Sequence, residues 1–293
     1  MSHAGKLAVV LGGLLLWSSR PAAADNAAAY RLAYKFAPGQ TLRWNVVHRT
    51  RVRTAVGETA QTAESTTSSV KVWRVKEVKP DGAAVFEFLV EDVDMRNQMT
   101  GQDEVRYNSR KDKEPPMGFE HVACAVGVPL AAITLDPHGK VVHREWKPVK
   151  AGAQTDSQVT IPLPTAPVAV GQSWSEPHDI EVKDDGGRVL KIKAVQRYTL
   201  EEVKTGIATI RLVTQILTPI RDPAVQSKVM QYEKAGTVRF DLDAGVIREQ
   251  QTDVDKRVVG FRGEASSIHY VTRFTEELLS RPQRAATQTA SAE

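Results

Sequence analysis

The sequence predicts an all-β protein of strongly bent antiparallel sheets, either a half-barrel or a sandwich. Three observations lead there. Segment after segment alternates apolar and polar residues with a period of two, the pattern of strands with one buried and one wet face. Short clusters of Gly, Pro, Asp and Asn separate these runs, and such residues make tight turns. No stretch sustains a 3.6-residue period; Phe274–Leu279 comes nearest and is too short to count.

The first element is a leader. Lys6 precedes the apolar run Leu7–Trp17, and polar residues then lead to Ala22-Ala23-Ala24. The apolar stretch falls below the ~20 residues a membrane-spanning helix needs, and the small-residue end suits a signal peptidase, so residues 1–24 read as a cleavable export signal. The alternative is an uncleaved N-terminal anchor. No Cys stands near the cleavage point to carry a lipid. The chain is therefore expected outside the cytoplasm, in the periplasm or beyond, with no transmembrane segment once the leader is gone.

Composition narrows the partners. The 39 basic and 35 acidic residues give +4, and the leader carries two of the basic residues, Lys6 and Arg20, and no acid, so the mature chain is at +2. Such a balance gives no support to nucleic acid as a partner. The single Cys124 cannot form an internal disulfide, so in an oxidising compartment the fold rests on its core.

A first β half is expected over 25–146. In Leu42–Thr54 one side carries Leu42, Trp44, Val46, His48, Thr50 and Val52, and the other Arg43, Asn45, Arg49, Arg51 and Arg53. Lys79-Pro80-Asp81-Gly82 separates VKVWRVKEV from AAVFEFLVEDV and reads as a hairpin turn. Asp136-Pro137-His138-Gly139 reads as another. Between them Met99–Met117 is polar and charged and predicts a long excursion from the sheet. Residues 147–169 hold Pro148, Pro162, Pro164 and Pro167 and read as a Pro-rich linker.

The second β half spans 170–280. Leu190, Ile192, Ala194, Tyr198 and Leu200 share one side of a strand, opposite Lys191, Lys193 and Arg197. Turns are expected at Asp184–Gly187, Lys204–Gly206 and Asp243–Gly245. The last strand alternates Ile268, Tyr270, Thr272 and Phe274 with His269, Val271, Arg273 and Thr275. Residues 281–293 lack apolar clusters and are expected to be disordered. Each half opens alike, on PGQTLRW (Pro38–Trp44) and VGQSWSE (Val170–Glu176), and hairpins follow in the same order. Two readings are open: the halves are a duplication, or strands begin after Gly and the match is chance.

Three stretches, LPTAPVAVGQSWSEP, YTLEEVKTGIATIRL and AVGVPLAAITLDPHGKVVHRE, resemble a family of uncharacterised exported bacterial proteins. In that family a P-V-x-V-G-[DQ]-[ST]-W segment follows a Pro-rich linker and a V-G-x-P…L-x-P-x-G-x-V hairpin precedes it. The resemblance runs from about Tyr34 to Leu278. It implies an all-β, envelope-associated domain and supplies no catalytic residues.

Candidate chemistry is sparse. Cys124 follows His121 by three residues in what reads as a strand, where residues three apart face opposite ways, so Cys124 is read as core. His138, His143 and Asp136 lack a fourth metal ligand at usable spacing. Asp241 and Asp243 lack the Glu that ends a calcium loop. Ser68 and Lys71 match S-x-x-K within a strand, where they project oppositely. The row Arg43, Arg49, Arg51 and Arg53 fits anionic glycans or lipid head groups, or a solvated face paired with acids such as Glu87 and Glu91. Trp44, Trp73, Trp146 and Trp174 are the large anchors, and Trp44, Trp174 and Tyr198 are the candidate ligand-binding residues.

The reading that follows is a non-enzymatic envelope protein, without cofactor or metal, that binds a hydrophobic ligand or another envelope component on an apolar concave sheet face. The alternative is a protein-interaction module acting through an edge strand or the 99–117 excursion. A continuous apolar cavity of several hundred Å³ favours a carrier; a filled core with apolar side chains exposed at one edge favours interaction.

Overall fold

The computed structural model describes residues 28–147 and 160–279. The expected leader, the expected tail and residues 148–159 of the expected linker lie outside them. The first half contributes β1 (Ala29–Tyr30), β2 (Thr41–Val56), β3 (Thr59–Val78), β4 (Ala84–Met99), β5 (Val105–Asn108), α1 (Glu120–Ala125), β6 (Pro129–Leu135) and β7 (Val141–Trp146). The second contributes β8 (Val168–Ala169), β9 (Ser173–Lys183), β10 (Val189–Lys204), β11 (Ile207–Ile216), α2 (Pro223–Val229), β12 (Ala235–Asp241), β13 (Val246–Val259) and β14 (Ser266–Leu278). The chain is all-β, and all five expected hairpin turns lie between paired strands.

Both halves build one antiparallel sheet of 12 strands, ordered β7-β6-β4-β3-β2-β14-β13-β12-β11-β10-β9, with β5 on the side of β4. β7 and β9 are its two edges, so the sheet is open. The seam between halves is β14 against β2, paired from Ser266↔Val56 to Leu278↔Trp44. β1 and β8 form a separate two-stranded ribbon.

The sheet is curled. Tyr34 N donates to Pro137 O in the β6–β7 turn at 2.8 Å, and the next residue, Lys35, donates to Gly245 O in the β12–β13 turn at 3.0 Å. In a flat sheet those turns would be five strand spacings apart, about 24 Å. Adjacent residues span only ~3.8 Å, so the sheet wraps round the strap that holds both turns. α2 likewise packs against both β9 and β13, which are four spacings apart along the sheet.

The register assigns the faces. Leu42, Trp44, His48, Thr50 and Val52 stand beside Trp73, Lys71, Thr67, Ser65 and Ala63 on the concave side. At the end closed by the strap this side is a filled core. One part holds Trp44, Trp73, Phe86, Ile133 and Leu135; the other holds Tyr34, Tyr198, Leu200, Ile210 and Phe240, with Ile161 and Leu163 from the described end of the expected linker. Further along, α2 seals Ile180, Val182, Ile192 and Ala194 with Val225 and Val229. Asp222 starts that helix by accepting from Ala224 N at 2.8 Å, and Pro223 occupies the first turn, where its missing N–H costs nothing.

Two expectations need correction. Met99–Met117 does not leave the sheet outright: Val105–Asn108 returns to pair with Asn97–Asp94, because Tyr107 and the following Phe119 bury themselves against Val93. HVACA is the helix α1, and Cys124 on it is exposed; the apolar residues that dock this turn are Val122, Ala123 and Ala125. Phe274–Leu278 continues β14 as strand.

Candidate functional site

The three candidate ligand residues fall within or against the packed core. Trp44 is 2 % exposed and Tyr198 0 %. Trp44 Nε1 donates to Ile247 O at 3.0 Å and Trp174 Nε1 to Pro162 O at 2.8 Å, while Tyr198 Oη donates to Gln196 Oε1 at 2.7 Å. Trp174 stacks on Tyr198 with ring centroids 5.6 Å apart, whereas Trp44 packs 4.8 Å from Trp73 in the other half of the core. The structure therefore joins Trp174 to Tyr198 and leaves Trp44 apart. The cavity among Tyr34, Phe36, Trp44, Trp73 and Glu276 measures ≈ 10 Å³, the scale of one water and far below that of a lipid.

A buried charge pair lies at the edge of this core. Lys71 Nζ, on β3, reaches across Trp44 of β2 to Glu276 Oε1 of β14. Its ammonium stands 4.7 Å from the Trp44 ring centroid and 5.1 Å from that of Trp73. The two side chains are 13 % and 6 % exposed. Lys71, which attracted notice only for its distance from Ser68, thus locks three strands together at the seam.

Beyond the pair the concave floor opens. Thr67, Ser65 and Ala63 of β3, Thr50 and Val52 of β2, and Phe274, Tyr270 and Ile268 of β14 are all half-buried, and His48 among them is exposed. Here the expectation of an apolar concave face is corrected: it is apolar where filled and rich in hydroxyls where open. His48 Nε2 lies 2.8 Å from Thr272 Oγ1, which donates to Arg49 O at 2.9 Å, so the imidazole N–H is the donor to Thr272. Thr50 Oγ1 is 3.2 Å from Thr272 Oγ1, and the Phe274 ring flanks the imidazole at 6.3 Å. Partial burial holds the His48 pKa below its ordinary 6.5, so the ring is neutral at pH 7.

The other candidates hold turns and surfaces. Asp136 Oδ1 accepts from His138 N at 2.9 Å and Lys140 N at 2.8 Å, and Asp241 Oδ1 accepts from Asp243 N and Ala244 N. Arg43 pairs with Glu91 at 3.0 Å and Arg51 with Glu64 at 3.2 Å, on a convex face where such pairs contribute little. Among the described residues no group of three or more His, Cys, Asp or Glu is placed to hold a metal. No described helix is long and apolar enough to cross a membrane.

No protein family and no curated protein matches the chain. Among solved structures it is similar to a chain of "Lipid-protein interactions in lipovitellin", at 11 % identity and TM-score 0.46, over 88 % of this chain and 27 % of that one. The protein thus spans about a quarter of that chain's length. It is also similar to DynF of the dynemicin biosynthesis pathway of Micromonospora chersina, at 6 % identity and TM-score 0.23, over 93 % and 96 % of the two chains. A third likeness is to OccK8 (OprE) of Pseudomonas aeruginosa, at 8 % identity and TM-score 0.21, over 83 % and 98 %. Scores below 0.5 give these likenesses no weight for fold or function.

Proposed function

We propose that this is a non-enzymatic protein of the cell envelope that holds an envelope component along the open part of its concave face. The observation that carries the reading is the contrast along one surface. The strap end is packed to a residual cavity of ≈ 10 Å³, whereas the floor of β3, β2 and β14 offers half-buried Val52, Tyr270 and Phe274 beside Thr50 and Thr67. An open trough suits an extended ligand better than an enclosed lipid. Native mass spectrometry of the chain purified from its own envelope tests this. A co-purifying small component, lost on Val52→Glu substitution in the trough floor, is the expected result; wild type without any, or retention by the variant, overturns it.

One observation favours a second reading, partner binding at the sheet edge. β7 presents Val142 at 64 % and Val141 at 36 % exposure beside a ladder side that no described residue pairs, whereas β9 carries Pro177, a usual protection of an edge. Loss of a co-purifying protein on Val142→Lys substitution would identify that edge as the contact.

A further inference from the structure

The two openings found in the sequence fold identically. In the first, Gln40 N donates to Ala37 O, Gly39 N to Val75 O, Val75 N to Gln40 O, and Ala37 N to Gln40 Oε1. In the second, Gln172 N donates to Ala169 O, Gly171 N to Leu200 O, Leu200 N to Gln172 O, and Ala169 N to Gln172 Oε1. Both glycines have positive φ, +76° and +87°, which explains Gly at that position.

This match sets β2 against β9 and β3 against β10, and the correspondence runs on through β4 with β11 and β6 with β12; β5 and β14 have no counterpart, and the register shifts at Val70/Lys71 and Phe88/Leu89 occur in the first half alone. A β-bulge falls after Val75 in β3 and after Leu200 in β10, the two residues that accept from the turn glycines. A second falls between Thr134 and Leu135 in β6 and between Arg239 and Phe240 in β12. Ala84 pairs with Leu135 as Ala208 pairs with Phe240. α1 lies between β4 and β6 as α2 lies between β11 and β12. Bulges are placed features of a fold, and two at corresponding register positions are not expected of unrelated meanders.

The correspondence exposes one contrast. Ile180, Val182 and Ile192, which α2 seals in the second unit, answer to His48, Thr50 and Thr67 in the first. The apolar cluster under α1 is built instead on Val93 and Met95 of β4 and Tyr107 of β5. The surface that is apolar and covered in one unit is thus polar and half-exposed in the other. Its groups are hydroxyls and an imidazole held neutral, and Phe274 and Tyr270 of β14 supply aromatic rings on the same face. The charged groups beside it are paired: Lys71 with Glu276, and Lys256, cross-strand from Tyr270, with Glu233 at 2.9 Å. Neutral hydrogen-bonding groups beside aromatic faces match the chemistry of a sugar ring, with its hydroxyls and its apolar C–H face; an acyl chain would leave the spare donor and acceptor capacity of these groups unused.

We infer that the halves are copies of one unit, and that the surface sealed by α2 in the second copy is kept open in the first as a trough for a neutral glycan strand. This rests on the concave trough being the binding face and names its ligand class. The test is calorimetric titration of the full mature chain with maltohexaose, chitohexaose and, as an apolar probe, dansyl-undecanoate. Wild type is expected to bind at least one oligosaccharide. Thr50→Val with Thr67→Ile, which writes the second unit's residues into the first, is expected to weaken it about tenfold with near-UV dichroism unchanged. Tyr270→Ala, a change on a different strand, is expected to weaken it as well.

An absence of oligosaccharide binding, or equal binding by all three proteins, overturns the assignment. Binding of dansyl-undecanoate alone, strengthened in Thr50→Val/Thr67→Ile, overturns the glycan and keeps the trough. Binding of none of the three probes overturns the glycan, and a null result in the native mass spectrum then removes the trough as well.

Discussion

Glu276→Gln removes one charge from the pair that ties β3 to β14. Both side chains are nearly buried, at 13 % and 6 % exposure, so the Lys71 ammonium would be left desolvated with no anion. Breaking such a pair from one side costs about 3–5 kcal/mol. The Trp44 and Trp73 rings under the ammonium recover part of this by cation–π attraction, which places the expected loss near 3 kcal/mol. With a urea slope of about 3 kcal/mol/M for a chain of this size, the midpoint falls by about 1 M. Replacing both partners, Lys71→Met with Glu276→Leu, removes the desolvation cost along with the attraction and is expected to lie within ~1 kcal/mol of wild type. Urea titrations of wild type, Lys71→Met, Glu276→Leu and the double variant close a double-mutant cycle. A single substitution costing under ~1 kcal/mol, or a double variant no more stable than the worse single, would refute the reasoning.

Gln40→Ala and Gln172→Ala each remove one side-chain acceptor from matching turns, and thermal melts should show similar losses of about 0.5–1.5 kcal/mol. Gly236→Ala puts a Cβ 1.9 Å from Gln251 O and 2.7 Å from Thr252 Cα; the strands must separate, and a loss above about 2 kcal/mol is expected in the same assay. His48 has a folded pKa below 6.5, so the unfolded chain takes up its proton first. Its contribution to stability is present above pH 6.5 and disappears as pH falls through the folded value; urea midpoints between pH 7 and 5 should fall less steeply in His48→Asn. Cys124 is exposed on α1 and should react with Ellman's reagent without denaturant, where a core thiol would not.

Much of the fold was legible because period-two alternation and turn residues are local signals. The side of β2 carrying Trp44, His48 and Val52 was assigned correctly from spacing alone, as was the side of β10 carrying Ile192 and Tyr198. The short helices were not legible. PAVQSKV and EHVACA are too short to show a helical period, and their apolar residues acquire a purpose only from the concave surface beneath them. The surroundings of the candidate residues were not legible for a related reason. Trp44, Trp174 and Tyr198 looked like ligand platforms because size and aromaticity are visible in a sequence, whereas the packing that buries them is not. His48 and Thr50 drew no attention, since a polar residue on an apolar side reads as an irregularity until the sheet shows that it faces an open floor.

The strap at Tyr34-Lys35 has a mechanical meaning. Its two successive amides clasp turns from opposite halves, while Tyr34 Oη accepts from Ile161 N at 3.2 Å and donates to Ile161 O at 3.1 Å. The radius of the sheet is therefore set from outside its own ladder, by a short peptide acting as a drawstring. Deleting the chain through Phe36 would leave every strand pairing of the large sheet intact and still let it relax toward a wider arc. A larger radius of gyration in small-angle scattering, with unchanged far-ultraviolet dichroism, would be its signature.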